Sequence, residues 1–211
     1  RPELVKRRVG APPTGPPGVG GSPTLHRPLT PRRDSAVMPM YGRMRLPGAT
    51  YFFTVALAER GTSLLTDHVD ALRAAYRATA AEHPMVCDAM VILPDHLHAV
   101  WTLPPGDADY SERWRKIKAR FSRAVGRYGP RSASKRAKRE RGLWQRRFWE
   151  HTIRNEADHA LHLRYCWANP VRHGLVARPV QWLYSSIHRD IRAGLIDADW
   201  AGPVPYGAFG E

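Results

Sequence analysis

The chain has 211 residues, 43% of them hydrophobic and 7 of them tryptophan, so it is long enough for one or two domains with an ordinary buried core. It has no run of about 18 apolar residues and no signal-peptide pattern, which argues against a membrane-spanning or secreted protein. The net charge of +14 favours a polyanionic partner, of which nucleic acid is the commonest, although a protein that binds a membrane surface would share it. Cys87 and Cys166 are too few for a disulfide framework or a four-cysteine zinc site, so we expect reduced thiols and a cytoplasmic location.

Residues 1–37 differ from the rest of the chain, because they hold 8 proline and 5 glycine residues and have no hydrophobic periodicity. Such a segment cannot bury enough apolar surface to offset the entropy lost on ordering, so we predict a disordered extension. A basic nucleic-acid-binding tail is the functional alternative. The folded pattern begins at Met38, and we predict a single domain over residues 38–202 followed by a tail over 203–211.

The first half of this domain is predicted to contain a strand, a helix and two more strands, over residues 51–57, 66–83, 89–93 and 96–103. Thr66 or Asp67 is the candidate N-cap of the helix. Pro94 and Asp95 form a turn signal between the last two strands. The connection is short enough to predict an antiparallel hairpin.

The second half is predicted to contain an amphipathic helix, a basic loop, a strand and a helix, over residues 109–127, 128–142, 144–153 and 155–169. The basic loop has six Lys or Arg residues against one Glu. Asn155 is a possible cap of the last of these helices, and Pro170 is expected to end it. The order β-α-β-β-α-β, with a further helix behind it, predicts an α+β fold. We expect a ferredoxin- or RRM-like antiparallel sheet with helices on one face and a C-terminal helix that carries Tyr165.

The motif Pro94-Asp95-His96-Leu97-His98 is the sharpest local feature of the sequence. Side chains alternate between the two faces of a strand, so His96 and His98 are expected to point in the same direction. Two imidazoles on one strand can hold a divalent cation and leave coordination positions open. Two histidines without a common function are the alternative.

His162, Tyr165 and Asn169 form a second pattern, because spacings of three and four residues place them on one helix face. A phenol, an amide and an imidazole on one stripe suit a functional site. The structural alternative is a packed tyrosine whose hydroxyl is satisfied by Asn169.

Residues from Met40 to about Gly202 resemble the REP-associated tyrosine transposases, a branch of the single-tyrosine HUH transposase family. The resemblance is carried, in order, by the segments TYFFTVAL, VILPDHLHAVWTLPPGDADYSERWRKIKARFSR, LWQRRFWEHTIRNEADHALHLRYCWANPVRHGLV and WLYSSIHRDIRAGLIDADWAG. The HLH segment, RRFWEHTIRN and the Y-x3-NPV-x2-GLV run are together highly specific.

The resemblance implies a role for each matching residue. His96 and His98 match the metal-binding histidine pair of the HUH motif, and Tyr165 matches the nucleophilic tyrosine. Asn169 stands where related transposases place a polar third ligand, with His162 as a weaker alternative. The family implies Mg²⁺ or Mn²⁺ and a transesterification that leaves a 5′-phosphotyrosyl enzyme and a free 3′-hydroxyl.

The implied partner is single-stranded DNA beside REP-type hairpins, bound by a cytoplasmic, nucleoid-associated monomer with no obligate protein partner and no membrane. Basic residues predicted to bind its phosphates lie before the first strand, on the 109–127 helix and in the basic loop. They are Arg43, Arg45, Arg113, Arg115, Lys116, Lys118, Arg120, Arg123, Lys135, Arg136, Lys138 and Arg139.

Two other functions are open at this point. A domesticated relative could bind DNA hairpins without cutting them, although it would not need to keep His96, His98 and Tyr165. A basic RNA-binding domain of ferredoxin-like fold would need alternating aromatic and basic residues on its central strands, and it would leave the histidine pair unexplained.

Overall fold

The computed structural model of the chain describes residues 45–126, 132–137, 141–203 and 209–210, with only the backbone of Lys135. The predicted extension over 1–37 lies outside these residues, as do Arg43, Lys138 and Arg139, so these interpretations stay predictions. The described residues belong to one compact unit that begins at Gly42.

Four strands and six helices form in the described part of the chain, with one 3₁₀ turn at Pro179–Gln181. The strands are β1 (Thr50–Ala56), β2 (Val86–Ile92), β3 (His96–Thr102) and β4 (Trp149–Thr152). The helices are α1 (Leu64–Asp67), α2 (Val69–Glu82), α3 (Tyr110–Val125), α4 (Ala133–Ala137), α5 (Glu156–Arg172) and α6 (Ile187–Arg192). The predicted β-α-β-β-α-β order and the α+β class are confirmed.

The strands form one antiparallel sheet in the order β2-β3-β1-β4. The central pair is in register, with Phe52 opposite Val100 and Thr54 opposite His98. Directly opposed residues of antiparallel strands point to the same face of the sheet. This register therefore decides which side chains surround the histidines.

One face of the sheet carries the larger core, where β1 and β3 pack against α2 and α3. Phe53 of β1 and Trp101 of β3 are fully buried there, and the Trp101 ring stacks on Trp114 of α3 with centroids 4.1 Å apart. Truncating a tryptophan so buried typically costs about 3–5 kcal/mol. This layer makes the scaffold rigid beneath β1 and β3.

The opposite face is covered by α5, which contributes Tyr165 and Cys166 to a second core with Phe52 and Val100. Helices therefore lie on both faces: α2 and α3 on one, and the tyrosine helix on the other. The predicted C-terminal tail also enters this second core, because Phe209 is only 4% exposed.

The structure differs from two sequence predictions about the helices and confirms a third. Neither Thr66 nor Asp67 is an N-cap, because α1 begins at Leu64 after Ser63, and a break at His68 separates α1 from α2. The 128–142 segment is not entirely a loop, since α4 forms within it. Asn155 does cap α5, where its side chain accepts a hydrogen bond from the Asp158 N–H at 2.9 Å.

Pro170 does not end α5, which continues to Arg172. The proline lacks an N–H and so removes one hydrogen bond, to the carbonyl four residues earlier. Its position in the last turn limits the loss, and the His173 N–H still bonds to the Asn169 carbonyl at 3.0 Å. The extra turn adds Arg172 to the helix.

In the part of the chain that the structure describes, no helix combines the length and apolar character needed to span a membrane.

Arg113 is buried inside the fold and is not available for the DNA contact predicted from its charge. Only 1% of its side chain is exposed, and its guanidinium donates to Asp107 at 2.7 Å and to the Pro84 carbonyl at 2.6 Å. The bond from Arg113 also lowers the pKa of Asp107. Arg113 therefore ties α3 to the loop before it.

Arg113→Ala is expected to lower the free energy of unfolding by about 3 kcal/mol, because it leaves Asp107 and two carbonyls without their buried partner. Arg115→Ala is the matched control, since Arg115 is exposed and, among the described residues, forms an ion pair only with Glu112 on the same helix. Its cost should stay below about 0.5 kcal/mol in urea denaturation. Equal losses in the two variants would contradict a structural role for Arg113.

Candidate functional site

His96 and His98 lie side by side on β3 and face α5. Their ring centroids are 5.1 Å apart with planes at 86°, and both side chains are buried. Alternation along the strand places both on one face, as the sequence predicts. Strand β3 is central in the sheet, so the pair is held on a rigid element.

His96 is oriented by a carboxylate. Its Nδ1 lies 2.6 Å from Asp95 Oδ1, and Asp95 also accepts from the Gly61 N–H at 2.6 Å and from Arg60 Nε at 3.0 Å. Burial alone would raise the pKa of Asp95, but the bonds from Gly61, His96 and Arg60 lower it overall. An ionised carboxylate only accepts, so His96 donates through Nδ1 and keeps Nε2 as its acceptor nitrogen.

His98 is oriented by a hydroxyl. Its Nδ1 lies 2.9 Å from Thr54 Oγ1, and that hydroxyl donates to the Phe209 carbonyl at 2.5 Å. A hydroxyl has one proton, so Thr54 must accept from the Nδ1–H of His98. His98 therefore also keeps Nε2 as its acceptor nitrogen.

The histidine pair fits a divalent cation. Metal-binding histidines usually donate their second ring N–H to a carboxylate or another acceptor, which fixes the tautomer and the ring direction. Asp95 and Thr54 do this for His96 and His98. Neither outer partner was predicted from the sequence, although Asp95 lies inside the motif.

A stripe of α5 runs along the histidine pair. The Tyr165 ring is 5.1 Å from the His98 ring, and the His173 ring, just beyond the helix end, is 5.0 Å from the His96 ring. Asn169 lies between them on the helix and is fully buried. Four helical residues rise about 6 Å, close to the spacing of alternate strand residues. The structure thus brings the predicted tyrosine and histidines together.

Two groups that the sequence analysis missed lie against Tyr165. The Arg172 guanidinium is 5.5 Å from the centre of its ring. The Phe209 ring stacks on Tyr165 with centroids 3.7 Å apart and planes at 18°. Tyr165 is fully buried in this arrangement.

His162 does not join the histidine pair. Its Nδ1 bonds to the Asp158 carbonyl at 2.8 Å, and the Asp158 carboxylate accepts from His151 Nε2 at 2.8 Å. Phe52 packs against both His162 and His98, at 4.8 and 5.5 Å between ring centroids. His162 as a ligand beside His96 and His98 therefore stays the weaker prediction.

His151, Asp158 and His162 form a cluster of their own, with ligand atoms within 4.8 Å of one another. Within the described ranges it is the only such group of three His, Cys, Asp or Glu residues. Burial disfavours the protonated imidazole of His162 and so lowers its pKa. Burial would raise the pKa of Asp158, but hydrogen bonds from His151 and the Arg154 N–H lower it overall. The cluster could hold a metal, yet its hydrogen bonds already satisfy the facing atoms.

The other described basic residues predicted to bind DNA lie at the surface, and they differ in their ion pairs and in their exposure. Glu112 pairs with Arg115, while Glu82 pairs with Lys116 and Arg120. Arg45 reaches the Ser111 hydroxyl at 3.4 Å. Exposed positions are occupied by Arg123 and Arg136, and Lys118 is half-buried.

No family model matches the chain. It is 42% identical over 174 residues to a REP-associated tyrosine transposase of Escherichia coli (strain K12), which covers 82% of this chain and 98% of the relative. A relative with the same family name from Haemophilus influenzae is 43% identical over 166 residues, which covers 78% of this chain and 94% of the relative. A solved structure of a REP-associated tyrosine transposase bound to a REP hairpin has a TM-score of 0.74 and 42% identity, covering 82% of this chain and 98% of the other.

Proposed function

The chain belongs to the REP-associated tyrosine transposase family, and on that premise we propose that it cleaves and rejoins single-stranded DNA beside REP-type hairpins. Tyr165 is the proposed nucleophile. The observation that carries the proposal is the contact between the Tyr165 and His98 rings at 5.1 Å, beside a second oriented histidine.

The proposed metal ligands are His96, His98 and Asn169. The two imidazoles have their acceptor nitrogens selected by Asp95 and Thr54, and Asn169 lies on the same helix as the nucleophile, one turn later. A bound Mg²⁺ or Mn²⁺ would supply polarisation of the scissile phosphate and neutralisation of developing charge. The His151, Asp158 and His162 cluster is a weaker candidate, because a metal would have to displace its hydrogen bonds.

The proposed chemistry is a transesterification at phosphorus. The Tyr165 oxygen forms a bond to phosphorus as the bond to the 3′ oxygen breaks, and the phenol loses a proton while the departing oxygen gains one. The products are a 5′-phosphotyrosine and a 3′-hydroxyl. The phosphotyrosine bond conserves the energy of the broken phosphodiester bond. A second 3′-hydroxyl can therefore attack it, release Tyr165 and join two strands. The positively charged guanidinium of Arg172 lies beside the Tyr165 ring. It would stabilise negative charge on the attacking oxygen and on the phosphate.

The proposed partner is single-stranded and hairpin DNA of the REP type, bound by a monomer in the cytoplasm and close to the nucleoid. The charge of +14 supports a long contact with phosphates. The predicted phosphate contacts that lie at exposed or half-buried described positions are Arg45, Arg115, Lys116, Lys118, Arg120, Arg123 and Arg136.

The test is a denaturing gel of the protein with labelled REP-type hairpin DNA that carries single-stranded flanks. We expect a covalent adduct with Mn²⁺ that disappears with chelator. His96→Ala and His98→Ala should each weaken Mn²⁺ binding at least about 100-fold in calorimetry and remove the adduct. His68→Ala, between α1 and α2, is the matched control and should behave as wild type. An adduct that forms equally well in chelator would contradict the metal-assisted mechanism.

A further inference from the structure

A cavity of about 680 Å³ lies between α3 and residues 141–148. Fourteen described residues line it, none of these is Asp or Glu, and five are basic: Arg115, Lys118, Arg123, Arg141 and Arg146. A cavity of this size falls in the range of sites that enclose small organic groups. The charge of its lining selects for an anionic ligand.

The walls of the cavity are aromatic. Trp114, Trp144 and Phe148 all line it. The Lys118 ammonium lies 5.7 Å from the Trp144 ring centre and 5.3 Å from that of Phe148, and it donates to the Gln145 carbonyl at 3.1 Å. Aromatic faces beside cations are the combination that binds unpaired nucleobases and their phosphates.

Part of this positive charge has no carboxylate partner among the residues that the structure describes. Arg115 pairs with Glu112, but Arg123 and Arg146 are exposed, and neither makes an ion pair with any residue that the structure describes. An anionic ligand at the rim would therefore not have to displace any described carboxylate from these two arginines.

The cavity is separate from the tyrosine site. Phe148 contacts Phe53 and Trp114 on the α3 face of the sheet, whereas its neighbour Trp149 contacts Phe52 on the α5 face. Strand β4 pairs only with β1 and forms one edge of the sheet. Packed layers of a protein lie about 10 Å apart, and the cavity and Tyr165 lie on opposite sides of the sheet. A single strand of DNA that passes the β4 edge would therefore connect two sites on the order of 20 Å apart.

We propose that this cavity holds an unpaired base of the DNA strand, with the base against Trp144 and Phe148 and the flanking phosphates on Arg123 and Arg146. This inference rests on the proposed function and specifies a second DNA site for it. A paired and stacked base cannot enter a concave cavity, so the site selects single-stranded segments. It would position the strand on one face of the sheet while Tyr165 acts on the other.

The test uses two substitutions on exposed positions of α3 that change the charge equally. Ala119 lines the cavity and Ala124 does not. The probe is fluorescent REP-type hairpin DNA with a single-stranded flank on either side. Ala119→Glu should weaken binding about 10-fold or more, while Ala124→Glu should stay within about 2-fold of wild type. Arg146→Ala and Arg147→Ala form a second pair with the same expected contrast, because only Arg146 lines the cavity.

Abasic substitution identifies the bound base. Each flank base is removed in turn, and at one position or more the affinity of the wild type should fall about 5- to 150-fold. That loss should shrink to within about 2-fold in Ala119→Glu, because the cavity no longer receives the base. Equal effects of Ala119→Glu and Ala124→Glu, or no sensitive flank base, would overturn the proposal.

The covalent adduct separates this inference from the proposed function. At saturating DNA, Ala119→Glu should form the adduct as wild type does, because Tyr165 is on the other face of the sheet. Absence of the adduct from the wild type would contradict the proposed function, while the binding measurements would still decide the cavity.

Discussion

Tyr165→Phe is expected to reduce covalent adduct formation at least about 10³-fold while leaving affinity for hairpin DNA within a few fold of wild type. The substitution removes only the hydroxyl. The ring keeps its contacts with Phe209 at 3.7 Å and Phe52 at 5.7 Å, so the second core is preserved. Adduct is measured on a denaturing gel and affinity by fluorescence anisotropy, on the same DNA.

Tyr184→Phe is the matched control for this substitution, because Tyr184 packs against Trp182, away from the histidine pair. It should retain the adduct. A persistent adduct in Tyr165→Phe would place the nucleophile elsewhere. A loss of DNA affinity as large as the loss of adduct would assign Tyr165 to binding or folding instead of chemistry.

Phe209→Ala is expected to increase the rate of adduct formation about 10- to 100-fold. The Phe209 ring covers Tyr165, and its backbone carbonyl accepts the Thr54 hydroxyl at 2.5 Å, so the proposed mechanism requires Phe209 to leave Tyr165 before a phosphate can reach the tyrosine. Burying a phenylalanine side chain typically stabilises a folded conformation by about 1.5–3 kcal/mol. Removing the Phe209 ring should therefore raise the population of the conformation in which Tyr165 is uncovered. Single-turnover gels with excess protein measure the rate.

Trp200→Ala controls for the loss of any C-terminal aromatic ring, since Trp200 packs on Trp167 and not on Tyr165. It should leave the rate within about 2-fold. A slower reaction in Phe209→Ala would make Phe209 part of the competent site. Tight hairpin binding without adduct in both the wild type and Phe209→Ala, with either Mg²⁺ or Mn²⁺, would favour the DNA-binding alternative that does not cut.

The pattern of the sequence was enough to predict the element order and the orientation of the histidine pair. Both depend on local periodicity: alternation along β3 puts His96 and His98 on one face, and the hairpin turn fixes the neighbouring strand. The cap at Asn155 and the helix stripe of Tyr165 and Asn169 are equally local. Contacts of this kind lie within one element.

Arg172 and His173 were not predicted as site residues, because the sequence pattern placed the helix end at Asn169. Proline disfavours helix in the residue before it, and Pro170 was therefore expected to end α5. A proline in the last turn removes only one hydrogen bond, which is too small a loss to end the helix there. With the helix extended, the spacing of four residues from Tyr165 to Asn169 and on to His173 predicts a continuous stripe.

Other parts of the site depend on contacts between distant residues. Thr54 meets Phe209 across 155 positions, and no local pattern encodes that pairing. Arg113 had a usable signal, because it lies three residues after Tyr110 and so falls beside the buried stripe of α3. The charge of Arg113 suggested a DNA contact at the surface, but Arg113 is buried and forms an ion pair with Asp107.

The measurement that tests the account most directly is mass spectrometry of the covalent adduct after digestion with nuclease and trypsin. Cleavage after Arg164 and Arg172 releases a peptide that begins with Tyr165. We expect a nucleotide joined through its 5′-phosphate to Tyr165 in that peptide. A nucleotide on any other residue, or a linkage through the 3′-phosphate, would contradict it.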